Sequence, residues 1–148
     1  AEEYNRGVGL LKLAAVLQFT LPGVPSIYYG DEAGLTGYGD PFCRAAYPWG
    51  RENTELLSFY RALGALRRSS PAFASGEFVP IRAESGVFAF LRKKGGSTAF
   101  IAVNSGDSTA VTDLPPELKD IKTAFGEKPQ GGKLTLSPKT YAVFTAES

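Results

Sequence analysis

Apolar side chains recur at helical spacing over residues 2–20, and this pattern predicts an amphipathic helix. Because two apolar rows lie on different sides of that helix, we expect it to be buried on two sides. Pro22 and Gly23 are typical of a helix end and predict that the helix stops before them. The two rows are Tyr4, Val8, Leu11 and Ala15, and Leu10, Leu13, Ala14 and Leu17.

A short apolar run follows and predicts a strand over residues 26–29 that is covered on both faces, as in a parallel sheet. The strand leads into a loop over residues 30–52, which is punctuated by glycine and proline. The spacing of apolar residues over 54–69 predicts a second helix, with Asn53 as its N-cap and Pro71 as its stop. The side chains of this helix that we expect to face solvent are Arg61, Arg67 and Arg68.

From Gly76 onward the hydrophobic period changes from helical to two. Short strands separated by frequent turn signals predict an antiparallel sandwich or barrel. The chain therefore divides into residues 1–75 and residues 76–148, and we expect the second part to fold by itself. The predicted strands are Glu77–Arg82, Val87–Lys93, Thr98–Asn104, Thr109–Asp113, Ile121–Ala124, Lys133–Leu136 and Tyr141–Thr145.

Composition excludes several classes of partner. The 148 residues are 43% hydrophobic and 21% charged, with a net charge of +1, so nothing favours binding to nucleic acid. No apolar run is long enough to span a membrane, and we expect no membrane partner. The single Cys43 and the absence of histidine exclude an internal disulfide and a cysteine-based zinc site. We therefore predict neither a cofactor nor a metal.

Two strings carry a family resemblance: LPGVPSIYYGDE at residues 21–32, and DPFCRAAYPW at residues 40–49. In this order, between two helices and ahead of an all-β part, they resemble the α-amylase superfamily of glycoside hydrolases. The likeness is strongest to neopullulanase, cyclomaltodextrinase and maltogenic amylase. It implies a C-terminal fragment, in which residues 1–75 are the last helix, strand and helix of a (β/α)8 barrel. Residues 76–148 would then be the antiparallel β-sandwich called domain C.

The resemblance also implies a function. Enzymes of this kind cleave α-glucosidic bonds with retention, using two carboxyl groups about 5 Å apart. In the family those groups come from barrel strands that would precede Ala1, so we expect no catalytic residue in this chain and no activity from it alone. The implied substrates of the parent are α-glucans or malto-oligosaccharides. The implied source is bacterial, and the compartment stays open between cytoplasmic and secreted.

Four charged residues of the loop are candidates for chemistry. Asp31 and Glu32 are adjacent, so their side chains point to different sides, and we interpret them as structural. Asp40 and Arg44 are candidates for substrate binding, because a carboxylate accepts hydrogen bonds from sugar hydroxyls while a guanidinium donates them. In the resembling enzymes a matching pair contacts glucose units. An ion pair internal to the loop is an equally good interpretation.

The loop is also rich in aromatic residues, which could stack on sugar rings or pack the loop. Because Pro48 lies between Tyr47 and Trp49, we interpret both as packing residues and Trp49 as structural. A different class of function also stays open, namely a noncatalytic β-module that binds carbohydrate or another protein. We further expect self-association through the exposed barrel remnant, whose uncovered apolar surface favours a partner. The other aromatic residues of the loop are Tyr38 and Phe42.

Overall fold

A computed structural model describes residues 2–147, except for the side chains of residues 123 and 124. The predicted helices and the succession of seven strands are confirmed, with bounds that differ by no more than a few residues. The helices are α1 (Glu2–Thr20), α2 (Thr54–Ser69) and α3 (Pro71–Ser75). The strands are β1 (Glu77–Glu84), β2 (Val87–Lys94), β3 (Ser97–Asn104), β4 (Ala110–Asp113), β5 (Lys122–Gly126), β6 (Lys133–Leu136) and β7 (Thr140–Glu147).

Local signals explain where the second and third helices begin. The Asn53 side chain accepts a hydrogen bond of 3.0 Å from the Leu56 amide, which makes it the predicted N-cap of α2. Pro71 does stop α2, but it also opens α3, a short helix that the sequence did not predict. Ser70 caps that helix by accepting from the Ala72 amide at 3.2 Å. Proline is well suited to a first helical position, because its missing amide would lack a partner there anyway.

The strands form two sheets, and every strand pair is antiparallel. The larger sheet has five strands in the order β1-β2-β3-β7-β5, and the smaller pairs β4 with β6. The register places Phe90, Ile101 and Val143 side by side across the three central strands. Their immediate neighbours along each strand point to the opposite face, so both faces of the large sheet carry apolar side chains.

These two faces build two separate cores. One face packs against the helices, and the other packs against the small sheet, so the molecule has three layers. The core between helices and sheet includes Val16, Phe19, Leu56, Leu63, Phe73, Phe90, Ile101 and Val143. The core between the sheets includes Leu91, Phe100, Leu118, Leu134, Leu136 and Phe144. The predicted antiparallel sandwich is thus confirmed, with the helices as a third layer over one of its sheets.

The prediction that α1 is buried on two sides is wrong for one of its sides. Leu13, Val16 and Phe19 are buried against α2 and the sheet, but Leu10 and Ala14 are exposed. The reason is that the described residues supply cover for one face of α1 and leave the other open. Among residues 2–147 no helix is both long and apolar enough to cross a membrane.

The predicted strand over residues 26–29 is wrong for this chain as it stands. This segment is irregular, and the side chains of Ile27, Tyr28 and Tyr29 are exposed. A strand requires a ladder of hydrogen bonds to a neighbour. None of the seven strands described for residues 2–147 lies beside this segment in a sheet. Residues 26–29 therefore have an apolar sequence that suits a buried strand, but among the described residues they lack the neighbouring strands that a sheet requires.

Candidate substrate-binding loop

The loop after this segment is anchored to the start of α2. Gly30 and Gly34 have φ angles of 95° and 71°, which glycine adopts without strain, and they enclose a short 3-10 turn at Asp31–Ala33. The Asn53 amide donates to the Ala33 carbonyl at 2.8 Å. The Asn53 side chain also donates to the Tyr4 hydroxyl at 3.2 Å, so one residue joins the loop, α1 and α2.

The two adjacent acids lie in this turn and differ in their surroundings. The Glu32 carboxylate accepts a hydrogen bond of 2.9 Å from the Gly30 amide, which closes the turn on itself. Asp31 is half-buried, and burial together with the negative charge of Glu32 raises the pKa of its carboxyl group. The interpretation of Asp31 and Glu32 as structural residues stays a prediction. A structural role requires contacts within the loop, and the hydrogen bond from the Gly30 amide to Glu32 is one.

Two tyrosines lie close enough to these acids to respond to their charge. Burial, followed by the charges of Asp31 and Glu32, raises the pKa of Tyr60 to about 12. Desolvation, the charges of Glu32 and Glu52, and a hydrogen bond to Glu32 raise the pKa of Tyr47. Both hydroxyl groups are therefore neutral near pH 7 and can donate hydrogen bonds. The turn and the two tyrosines near it thus combine acceptors and donors of hydrogen bonds.

Asp40 and Arg44 lie together further along the loop, across a second 3-10 turn at Phe42–Arg44. The Arg44 Nε and the Asp40 Oδ1 are 2.8 Å apart, and a longer contact of 3.4 Å joins Nη2 to Oδ2. The Asp40 side chain is 63% exposed and the Arg44 side chain is 71% exposed, so solvent and a ligand can both reach the pair. This geometry fits either interpretation: it holds the loop in shape, and it presents a carboxylate beside a guanidinium to a polyol.

The aromatic residues of the loop are not packed away in the described structure. Tyr38, Phe42 and Trp49 are 86%, 70% and 80% exposed, respectively. The Trp49 ring contacts the half-buried Tyr47 ring, with centroids 4.5 Å apart and planes tilted by 49°. The Trp49 ring thus has an aromatic neighbour, and its structural role stays a prediction. The same side chains are free to meet a ligand or another protein surface.

Shallow cavities accompany the loop. One of about 460 Å³ lies between the first turns of α1 and residues 34–38. A smaller one of about 220 Å³ lies among Tyr28, Tyr29, Tyr38 and Cys43. Within residues 2–147 no group of three or more histidine, cysteine, aspartate or glutamate side chains is arranged to hold a metal ion. What the arrangement can offer is hydrogen bonding and aromatic contact.

Two arginines have roles that the sequence did not reveal. The prediction that Arg67 faces solvent is wrong, since its Nη1 donates to the Phe19 carbonyl at 2.8 Å. Arg92 lies in a predicted strand, yet it is 1% exposed and its Nη1 donates to the Thr20 carbonyl at 2.6 Å. Sequence offers one weak signal for Arg92. Arg92 directly follows the apolar run from Val87 to Leu91, and a charged residue at that position of a buried strand predicts a buried charge.

Comparison with known proteins places these features in context, although no family model matches the chain. The chain is 37% identical over 145 residues to an amylopullulanase from Thermoanaerobacter thermohydrosulfuricus, which covers 90% of the chain and 9% of that enzyme. It is 38% identical over 140 residues to a cyclomaltodextrinase from Thermoanaerobacter pseudethanolicus, covering 92% of the chain and 24% of that enzyme. The chain therefore spans less than a third of the length of these curated relatives.

Solved structures agree with the sequence relatives. A debranching enzyme from Nostoc punctiforme matches 94% of the chain with a TM-score of 0.83 and 30% identity, over 31% of its own length. An α-amylase from Geobacillus thermoleovorans, solved with acarbose, matches 95% of the chain with a TM-score of 0.82 and 26% identity, over 34% of its length. The arrangement of helices and sandwich described here is thus shared with these enzymes.

Proposed function

We propose that this chain, which belongs to the α-amylase family of glycoside hydrolases, supplies one part of a retaining enzyme that acts on α-glucans. In this proposal residues 1–75 complete a (β/α)8 barrel, and residues 76–148 form the sandwich that supports it. The catalytic carboxyl groups would come from outside this chain. The isolated chain would then be inactive.

The uncovered apolar surface is the observation that carries the proposal. Ile27, Tyr28 and Tyr29 are exposed and unpaired by any described strand, and the open face of α1 carries Leu10 and Ala14. Covering apolar surface is worth about 25 cal/mol per Å², so a surface of this kind favours a partner. Neighbouring barrel strands and helices are the partner that the family supplies. A second copy of the chain would be the substitute when they are absent.

Asp40 and Arg44 take the binding role in this proposal. The pair is exposed and held in one geometry by its own contact of 2.8 Å. Its carboxylate retains free lone pairs and its guanidinium retains free N–H donors, so both can bind sugar hydroxyls at once. We expect them to bind substrate rather than to take part in bond cleavage. Asp31 and Glu32 would shape the loop around them.

Turnover of maltohexaose tests the proposed function. The 148-residue chain should show none, whereas the product of the whole reading frame that encodes it should release smaller sugars. Hydrolysis by the chain alone would contradict the proposal. In the whole protein, Asp40→Asn should raise KM roughly tenfold, because a hydrogen bond to a charged group is worth about 1.5 kcal/mol. Arg51→Gln, at an exposed arginine of the same loop, is the control and should leave KM unchanged.

A noncatalytic carbohydrate-binding role is the second candidate, and the exposure of Tyr38, Phe42 and Trp49 favours it. Aromatic faces of this kind suit the apolar faces of pyranose rings. Retention of the isolated chain on immobilised starch distinguishes the two. Specific retention that is lost in Trp49→Ala would support the binding module. Passage without delay, like that of the variant, would support the proposal of an enzyme part.

A further inference from the structure

The end of α1 is electrostatically incomplete by itself. The last carbonyl groups of an α-helix have no partner within the helix, and they form the negative end of its dipole. The last turn of α1 contains no basic residue that could satisfy them. The Leu17 carbonyl accepts a hydrogen bond of 2.8 Å from the Leu21 amide. The carbonyl groups of Phe19 and Thr20 need donors from elsewhere.

Two arginines from distant parts of the chain supply those donors. Arg67, on α2, donates to the Phe19 carbonyl and also to the Gly23 carbonyl, beyond the end of the helix. Arg92, on β2, donates to the Thr20 carbonyl. The two guanidinium groups therefore approach one helix end from the helical layer and from the sheet. Each lies where the helix dipole attracts a cation.

Arg92 also holds the connection between the two halves. Its Nε and Nη2 both donate to the Gly76 carbonyl, at 3.2 Å and 3.0 Å. Burial, together with the charge of Arg67, lowers the pKa of Arg92. This shift reflects the free-energy cost of keeping a charge buried at this point. Backbone carbonyl groups take the place of a carboxylate here. A guanidinium can do this because its donors form a rigid fork, which a lysine lacks.

We propose that Arg67 and Arg92 are positioning residues that fix the junction at residues 19–23, and through it the loop that bears Asp40 and Arg44. Residues 24–29 lead from the junction to this loop, and a bond of 2.5 Å from the Gln18 side chain to the Ser26 carbonyl continues the contact along them. The large sheet thereby sets where the candidate binding loop begins. We call the contacts of Arg67 and Arg92 with the backbone carbonyl groups of this junction the clamp. The effect on binding rests on the proposed function, whereas the clamp itself does not.

Native-state hydrogen exchange of the 148-residue chain tests the clamp. The measured quantity is the exchange rate of the Leu21 amide divided by that of the β3 amides. Arg92→Met should raise this ratio at least tenfold, and Arg92→Lys should raise it less, because lysine keeps the charge without the fork. Leu134→Ala, which weakens the remote core between the sheets, is the control for general destabilisation and should not raise the ratio.

Equal ratios in Arg92→Met and Leu134→Ala would overturn the proposal, because Arg92 would then stabilise the fold without fixing the junction. If Arg92→Met does not fold, the same ratio is measured in Arg92→Lys and Arg67→Met. If neither variant raises the ratio, the proposal is overturned. In the whole protein, Arg92→Lys should raise KM for maltohexaose threefold to tenfold and leave kcat within twofold. An unchanged KM in an active protein would overturn the link to the loop. A whole protein without turnover would instead overturn the proposed function, and the exchange ratio would still decide the clamp.

Discussion

Strand β3 and the segment from Leu21 to Trp49 both carry large apolar side chains, but these have opposite fates. From Ala99 to Asn104 every residue of β3 is buried, because helices cover one face and the small sheet covers the other. The segment exposes large apolar side chains along its length, although its sequence suits a covered strand and an ordered loop. The difference teaches that apolar sequence creates a demand for burial, and that only a neighbouring surface satisfies it. The exposed side chains are Val24, Ile27, Tyr28, Tyr29, Tyr38, Phe42 and Trp49.

Shortening one phenylalanine in each region should give the largest contrast. Phe100 is fully buried between the sheets and stacks on Phe144 with ring centroids 6.0 Å apart. Phe100→Ala should lower the free energy of unfolding by about 3–5 kcal/mol, the usual cost of a cavity of this kind. Phe42→Ala should change it by less than about 0.5 kcal/mol, because the ring is exposed. Urea denaturation measures both, and equal losses would contradict the contrast between the regions.

Adding a methyl group to a glycine in each region should give the next largest contrast. A Cβ at Gly76 would lie 2.4 Å from the Ala72 carbonyl oxygen, so the backbone would have to move. Gly76→Ala should therefore cost about 1–3 kcal/mol in the free energy of unfolding. A Cβ at Gly39 would meet no atom within 4 Å, and Gly39→Ala should leave stability unchanged or raise it by up to about 1 kcal/mol. Thermal or urea unfolding distinguishes the two variants. If Gly76→Ala is as stable as the wild type, the backbone around Gly76 accommodates the methyl group without cost, and the expected contrast is wrong.

Removing the cap at Asn53 should disturb a point where the exposed loop is tied to the helices. Asn53→Ala removes the acceptor for the Leu56 amide and the donor to the Tyr4 hydroxyl, and should cost about 1 kcal/mol. Asn53→Ser keeps an acceptor for the cap and should lose less. Denaturation curves of the two variants give the difference. If serine and alanine cost the same, the cap is not what stabilises this end of α2.

Alkaline pH should produce a contrast between a buried and an exposed tyrosine. Because the pKa of Tyr60 is raised to about 12, the unfolded chain loses this proton first, and stability falls as the pH rises from 10 towards 12. The stabilising contribution is complete below pH 10. Tyr60→Phe should therefore flatten this part of the stability profile relative to the wild type. Tyr38→Phe, at an exposed ring, is the control, and an equal flattening in it would contradict the assignment.

Sequence reasoning succeeded where the signal was local. Asn53 as a cap, Pro71 as a stop and the period of two after Gly76 all depend on nearby residues, and the structure has each of them. It failed where the outcome depended on distant parts of the chain. Arg67 lies 48 residues from its partner Phe19, and no periodicity announces such a contact. For Asp40 and Arg44 an ion pair internal to the loop is one of the two interpretations from sequence, and the structure has them paired.

The sequence alone set the order of α1, α2 and the seven strands, the two apolar faces of the central strands and the aromatic loop, because backbone preference and hydrophobic period act over a few residues. Tertiary structure alone decided which of those apolar faces found cover, and which cations completed the end of α1. Leu10 and Phe90 are equally apolar in sequence, yet one is exposed and the other is buried. The physical reason is that burial and charge compensation are properties of two surfaces in contact, and a sequence pattern describes only one of them.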